Sequence, residues 1–404
     1  MDIRPIFSTL RRHRTAASLI VLEIALSCAI LCNAVHLITK RVEAMNAPSG
    51  LVEKEIVKLS LGGISRDASA DVQTAQDLAV LAQVPNVKHV TIVNQIPYGN
   101  SNWNSGVNLD PDQQIPTLES LVYNAGPDFM ETLGLQLVAG RAFTPDEFKT
   151  NTEAYPEGSD DANIPFAMVT EETANRLFPN GALGQVFYVW GKHPIRIVGI
   201  IRNIAPIRAG GNRWAFFVPV RLAYNEGGYY FLRTDPEHRE QVLKDGAAAL
   251  EKANRSRVLL DHITFEQIRD DYFRDDRSMV WLLSGVGGVL LIVTAFGIVG
   301  LASFWVQQRT RMIGIRRALG ATHGQILRYF QTENFLLTTI GIAIGLVGAY
   351  GINQLLLQLY EVERLPFYAI PISAVALWIL GQVAVLGPAL RAAALPPVAV
   401  MRSA

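Results

Sequence analysis

Cysteine is nearly missing from this chain. Cys28 and Cys32 are the only two among 404 residues, and both fall inside one apolar run. Four residues apart, they lie on one face of one helix, so a bond between them would constrain little. No disulfide framework exists and no Cys/His metal spacing occurs. The two thiols read as small packing residues. Also missing are the G-x-x-x-x-G-K-[ST], H-E-x-x-H and G-x-S-x-G patterns. Their absence excludes a Walker A phosphate loop, a zincin helix and a hydrolase nucleophile elbow. The nearest approach to a phosphate loop, "GKH" at residues 191–193, lacks the first glycine and the Ser/Thr. Seven histidines are scattered, with His193 and His262 reading as surface or strand residues. The acid pairs Asp160 with Asp161 and Asp270 with Asp271 sit in polar surroundings. No nucleophile, base and orienter can be argued as a set, so the chain reads as non-catalytic, with no cofactor or metal of its own. Excess charge is lacking as well: 36 Lys+Arg balance 36 Asp+Glu. A basic nucleic-acid footprint is therefore excluded.

What is present is apolar sequence in long blocks. The mean hydropathy of +0.20 is high for a soluble chain and low for one made only of membrane spans. Crossing about 30 Å of hydrocarbon takes roughly 20 apolar residues. Four segments qualify: residues 16–38, 279–306, 335–357 and 370–390. The first reads as a retained anchor, because it is long for a signal-peptide core and no small-x-small cleavage site follows. Arginine sets the orientation. Arg4, Arg11, Arg12 and Arg14 precede the first span. Arg309, Arg311, Arg316, Arg317 and Arg328 separate the second from the third, and Arg391 and Arg402 follow the fourth. Asp2 is the one acid in these three segments. If the spans alternate, residues 1–15, 309–328 and 391–404 share the cytoplasmic side. Residues 40–277 and the loop with Glu361, Glu363 and Arg364 then lie outside.

The external stretch alternates in character. Residues 55–63 read as a strand. Residues 71–84 read as a helix with apolar positions Val72, Ala75, Leu78 and Leu81, and residues 87–96 read as a second strand. A second strand-helix-strand unit covers residues 228–234, 236–254 and 257–265. Two such units predict a ferredoxin-like subdomain, residues 48–97 plus 220–265, with residues 98–219 inserted as a β-rich subdomain. The expected fold class is an α-helical membrane protein with four transmembrane helices and a large external α+β domain. Residues 265–278 form a stalk. With no proline or glycine before Met279, one helix could run over residues 265–306, about 60 Å at 1.5 Å per residue. An ordinary solvated lead-in fits equally well.

Three smaller features stand out in the spans and between them. Glu23 interrupts the first span, either to pair with an arginine or reach headgroups, or to contact a partner span. Gly341, Gly345 and Ala349 form a small-xxx-small series for close helix packing. Between spans two and three lies "RTRMIGIRRALGATHGQIL" (residues 309–327), rich in arginine and free of acid. Topology alone explains its charge. It does not explain the order. Met312, Ile315, Ala318 and Leu319 fall on one helical arc and Arg309, Arg316 and Arg317 on another, with Gly320 as the stop. Such a helix could dock an apolar stripe into a groove on a cytosolic partner.

The run "RMIGIRRALGATHGQILRYFQTENFLL" resembles the signature region of FtsX-type ABC transporter permeases. "NAGPDFMETLGLQLVAGRAFTPDEF", "AMVTEETANRLFPNGALGQVF" and "IRIVGIIRNI" are similar to the periplasmic core domain of MacB-like permeases. "PALRAAALPPVAVMR" is similar to the family's closing segment. The resemblance implies an inner-membrane permease with both termini cytoplasmic and residues 40–277 periplasmic. It implies an ATPase-coupling helix at Arg309, Arg311, Met312, Ile313, Ile315, Arg316, Arg317, Ala318, Leu319 and Gly320. It further implies a dimer with a second permease chain, working with a dimeric ATPase that holds ATP and Mg. Mechanotransmission would drive efflux of periplasmic or membrane-derived cargo, through a periplasmic adaptor and an outer-membrane channel. Control of a kinase or cell-wall hydrolase, or lipoprotein extraction, would use the same architecture. Two departures matter. The family places a glutamate before I-G-I-R, where this chain has Met312. MacB proper carries its ATPase on the same chain, whereas this chain has no phosphate loop, which implies a separate subunit.

Overall fold

The computed structural model describes residues 14–63, 70–99, 101–156, 159, 161–207, 213–254, 257–360 and 369–394. Arg4, Arg11, Arg12, Asp160, Glu361, Glu363, Arg364 and Arg402 lie outside them. Two compact units emerge, Asn46–Arg274 and Met1–Met45 with Asp275–Ala404.

In chain order the elements are α1 (Arg14–Asn46), β1 (Ile56–Gly63), α2 (Ala70–Ala82), β2 (His89–Val93), β3 (Asn104–Val107), β4 (Leu118–Asn124), α3 (Phe129–Leu133), β5 (Leu137–Gly140) and β6 (Lys149–Thr150). They continue with α4 (Asn151–Ala154), β7 (Phe166–Thr170), α5 (Glu171–Leu177), β8 (Val186–Phe187), β9 (Ile195–Ile201), β10 (Ala215–Val218), β11 (Val220–Arg221) and β12 (Tyr229–Arg233). Last come α6 (Arg239–Ala253), β13 (Arg257–Thr264), α7 (Phe265–Tyr272), α8 (Arg274–Gln308), α9 (Thr310–Ala318), α10 (His323–Tyr360) and α11 (Ala369–Ala394).

In the external unit, β13-β1-β12-β2 form a four-stranded sheet in that order, with every neighbouring pair antiparallel. This is the strand order that two split β-α-β units produce, the ferredoxin-like arrangement. Helices α2 and α6 pack with this sheet. Gly246 of α6 stands so close that a Cβ there would sit 3.0 Å from Leu59 Cδ1. Of the apolar positions its spacing predicts in α2, Leu81 is buried and Leu78 packs against the core, but Val72 and Ala75 are exposed and Ala70, Thr74 and Asp77 face inward. Hydrogen bonds explain the difference. Thr74 Oγ1 donates to Ala70 O (2.7 Å) and accepts from the Tyr224 N–H (2.9 Å), and Asp77 accepts from Tyr230 Oη (2.7 Å). Both polar side chains are satisfied inside, so burying them is tolerable.

Between β2 and β12 the chain builds a second, mixed sheet in the order β3-β4-β10-β7-β9-β5, with β8 also on β9. In β9, Ile195 and Ile197 face a core that includes Phe187, Phe216, Ala167 and Val169, and after a register shift against β7 it is Ile200 that packs on that core. Stacked rings of Tyr123 and Phe217, 4.5 Å apart, fill the other side. β11 pairs with β6. The inserted region therefore reaches Arg221, two residues past its expected end at 219.

Among the described residues, the membrane unit holds four helices long and apolar enough to cross a bilayer: α1, α8, α10 and α11. Each outruns its apolar core. α10 begins at His323, so the last six residues of the expected 309–328 coupling helix and loop belong to the third spanning helix. The continuous rod over residues 265–306 does not form. α7 ends at Phe273, whose backbone (φ −89°, ψ 10°) leaves the helix before α8 begins. Tertiary packing holds that break: Phe273 is buried, with its ring 5.3 Å from Tyr98 and 4.8 Å from Tyr272.

Gly341 and Gly345 of α10 face α1. A Cβ on Gly341 would lie 2.8 Å from Ile24 Cβ, and one on Gly345 would lie 2.6 Å from Ala25 O and Cys28 Cβ. Ala349 is buried, and its carbonyl accepts from Asn33 Nδ2 at 3.4 Å. Ser27 Oγ and Thr294 Oγ1 share a 2.7 Å hydrogen bond between α1 and α8. Beyond the apolar stretch, Arg41 pairs with Asp276. The two thiols are free and buried, 4.0 Å apart. Glu23 stands over Gly297 of α8, where any Cβ would collide with the carboxylate. Among the described residues it has no arginine partner.

Candidate functional site

The nine-residue α9 is too short to persist alone. Its position comes from packing at both ends. At the start, Arg309 leaves α8 with a non-helical φ of −106°. Its Nη1 reaches the Glu333 carboxylate of α10 at 2.8 and 3.0 Å, and its guanidinium lies 5.4 Å from the Trp305 ring. The two side chains are only 5% and 2% exposed. In such a setting a charge is tolerated only because it is paired. Ile313 and Gly314 form the inward face of α9. Ile313 belongs to a core with Val306, Ile326, Tyr329, Phe330, Ala389, Ala392 and Ala393.

The far end is closed by backbone geometry. Gly320 adopts φ +98°, a conformation that favours glycine. The Gly320 and Ala321 N–H groups donate to the carbonyls of Arg317 and Arg316, both at 3.0 Å. Thr322 and Gln325 then cap α10 reciprocally, at 3.3 and 3.0 Å. Arg317 donates to Ala393 O at 2.7 Å and meets His323 Nε2 at 2.9 Å, tying α9 to α11 and α10. Arg316 lies over the Tyr329 ring, 5.0 Å from its centroid.

This arrangement corrects the expected division into an apolar arc and an arginine arc. Arg309 is interior and ion-paired, and Arg317 is engaged with α11, so neither belongs to a free basic face. Arg311, Arg316 and Ala318 are exposed. The deepest apolar residue is Ile313. Met312, Ile315 and Leu319 instead point to solvent, Ile315 48% and Leu319 83% exposed. A cavity of about 510 Å³ lies beside them, lined by Met312 and Arg316 from α9, by Leu319 just past its end and by Gln325, Ile326 and Tyr329 from α10. The helix therefore has one apolar side that is used internally and another with no partner among the described residues.

Sequence reasoning missed Glu333. The available signal was its isolation: between Arg309 and Tyr360 it is the one acid. A lone acid at the head of an apolar run needs a cation, and Arg309 is it. Among the described residues no cluster of three or more metal-type side chains occurs.

Comparison with known proteins covers both units. The MacB-like periplasmic core domain family matches residues 34–249, and the FtsX-like permease C-terminal family matches residues 284–397. The uncharacterized ABC transporter permease YknZ of Bacillus subtilis (strain 168) is 23% identical over 291 residues, covering 70% of this chain and 70% of YknZ. The macrolide export ATP-binding/permease protein MacB of Shewanella sp. (strain ANA-3) is 26% identical over 312 residues, covering 73% of this chain and 43% of MacB. The chain thus spans less than half the length of that relative. Among solved structures, the extracellular domain of YknZ aligns with 51% of this chain and 100% of its own at 14% identity and a TM-score of 0.33. The periplasmic region of MacB from Actinobacillus actinomycetemcomitans aligns with 57% of this chain and 97% of its own, at 14% identity and a TM-score of 0.34.

Proposed function

The chain belongs to the ABC transporter permeases of the MacB and FtsX type, and from that premise we propose that it converts ATP hydrolysis on a separate ATPase dimer into movement of its external domain. It is a multi-pass membrane protein, and in this reading a non-catalytic one, with ATP and Mg held by the partner. α9 lies on the cytoplasmic face of the inner membrane, with both termini on that side and residues 40–277 in the periplasm. Closure of the ATPase pair pushes on α9. Arg309–Glu333 and the Ile313 core pass the push to α8 and α10. α1 and α8 are the spanning helices whose chain continues into the external unit. The path through α8 runs across the Phe273 joint rather than along one stiff rod. A second permease chain completes the assembly. Its work is the export of cargo already outside the membrane or drawn from it, handed to a periplasmic adaptor and an outer-membrane channel.

One observation carries this reading: a short, doubly anchored helix presents Met312, Ile315 and Leu319 outward beside a groove, with no partner for them among the described residues. Exposed apolar side chains in such a cluster mark a docking surface. The methionine at 312 makes this contact apolar where relatives would offer a carboxylate. The test is permease-stimulated ATP hydrolysis by the cognate ATPase. Ile315→Asp with Leu319→Asp should lower stimulation at least tenfold and leave thermal unfolding of the chain unchanged, because both residues are exposed. Full stimulation by the double variant would refute the coupling role.

A further inference from the structure

A cavity of about 500 Å³ opens in the external unit, lined by β3, β4, α4 and the segments carrying Trp190 and Glu226. That is the size of a small-molecule site. Its composition is unlike a core. Four carboxamides (Asn102, Asn104, Asn124 and Asn151) and three aromatic side chains (Trp103, Trp190 and Tyr155) line it, and no lysine, arginine or histidine is among the described lining residues.

Several of these groups are held in place and left unspent. Trp103 is half exposed, yet its backbone is clamped. Gln95 Oε1 accepts from the Trp103 N–H at 2.8 Å, and Gln95 Nε2 donates to the Trp103 carbonyl at 3.0 Å. Its ring stands by Gly227, whose added Cβ would lie 3.7 Å away. Trp190 and Tyr155 meet edge to face, 5.4 Å apart. Glu226 is tied to the scaffold, accepting from Asn151 Nδ2 and from the Ala223 N–H, both at 3.0 Å. Asn124 is only 1% exposed. Its Oδ1 receives just the long 3.5 Å bond from Tyr155 Oη, and its Nδ2 has no partner among the described residues. The Asn124 donor at the cavity wall is therefore free to meet a ligand acceptor.

We propose that this cavity binds a saccharide of one or two pyranose rings. Without a cation, the lining does not suit an anion. A purely apolar ligand would leave the carboxamides unpaired. A carboxamide donates and accepts at once, as each sugar hydroxyl does. The half-exposed Trp103 indole matches the C–H face of a pyranose as the outer platform, and the partly buried Trp190 forms the inner wall. Burial raises the Tyr155 pKa, which keeps its hydroxyl a neutral donor. The site goes beyond the coupling reading and stands without it: it uses no residue of α9 and needs no ATPase.

The test is calorimetric titration of the purified full-length chain in lipid nanodiscs, which avoids sugar-headed detergents. The probes are N,N′-diacetylchitobiose, cellobiose and maltose, with alanyl-alanine amide and choline as competing chemistries. Saturable binding of at least one disaccharide is expected. It should weaken tenfold or more in Trp103→Ala or Asn104→Ala, exposed positions whose thermal unfolding should stay at the wild-type value. Three results would each overturn the proposal. One is no saturable binding by any of the three sugars, another is equal affinity in both variants and wild type, and the third is binding of the dipeptide or choline in their place.

Discussion

At the scale of residues, the informative group is the pair Arg309 and Glu333. Neither is notable alone in a segment with five arginines. Together they are a desolvated ion pair that fixes where α9 leaves α8. Removing one member strands the other charge, which costs about 3–5 kcal/mol, whereas replacing both with apolar groups of similar volume is close to neutral. Glu333→Ala should therefore lower the thermal midpoint in nanodiscs markedly, and Arg309→Met with Glu333→Leu should recover most of it. An unchanged midpoint in Glu333→Ala would show that the pair does not hold α9. The sequence signals this link only through the isolation of Glu333 and does not say which arginine answers it. Arginines in a cytoplasmic loop are expected on topological grounds, and a partner 24 positions away on another helix leaves no periodic trace.

At the scale of elements, helix packing is set where side chains are absent. Gly345 lets α10 approach α1 until backbone and Cβ atoms nearly touch, whereas Gly351 has nothing within 4 Å of an added Cβ. Gly345→Ala should destabilise by about 1–3 kcal/mol through overpacking, and Gly351→Ala should be neutral or slightly stabilising through helix propensity. Equal midpoints for the two variants would contradict the close approach. Apolar runs made the four spanning helices readable, because lipid demands them. The ferredoxin-like order was readable because two strand-helix-strand units bracket a long insert. The full buried face of α2 was not, although Leu78 and Leu81 do meet the core. Its apolar Val72 and Ala75 face out while Asp77 faces in, since a tyrosine far along the chain, Tyr230, satisfies the acid. Nor was the break at Phe273, which carries no proline or glycine and depends on a ring from Tyr98. Both depend on contacts distant in sequence.

At the scale of the molecule, the chain is two units with separate cores, one built for lipid and one for water. In the proposed function the first transmits force, and by the further inference the second recognises a ligand. The outward side of α9 is then the proposed seat of an ATPase. The most direct measurement places a photo-reactive amino acid at position 315 of the tagged full-length chain, irradiates cells that express it, and identifies the adduct by mass spectrometry. The same probe at Trp281, exposed on α8, serves as the control. An adduct to an ABC ATPase from position 315 and none from position 281 is the predicted result. Recovery of the ATPase with the chain, but with no adduct from position 315, would contradict it.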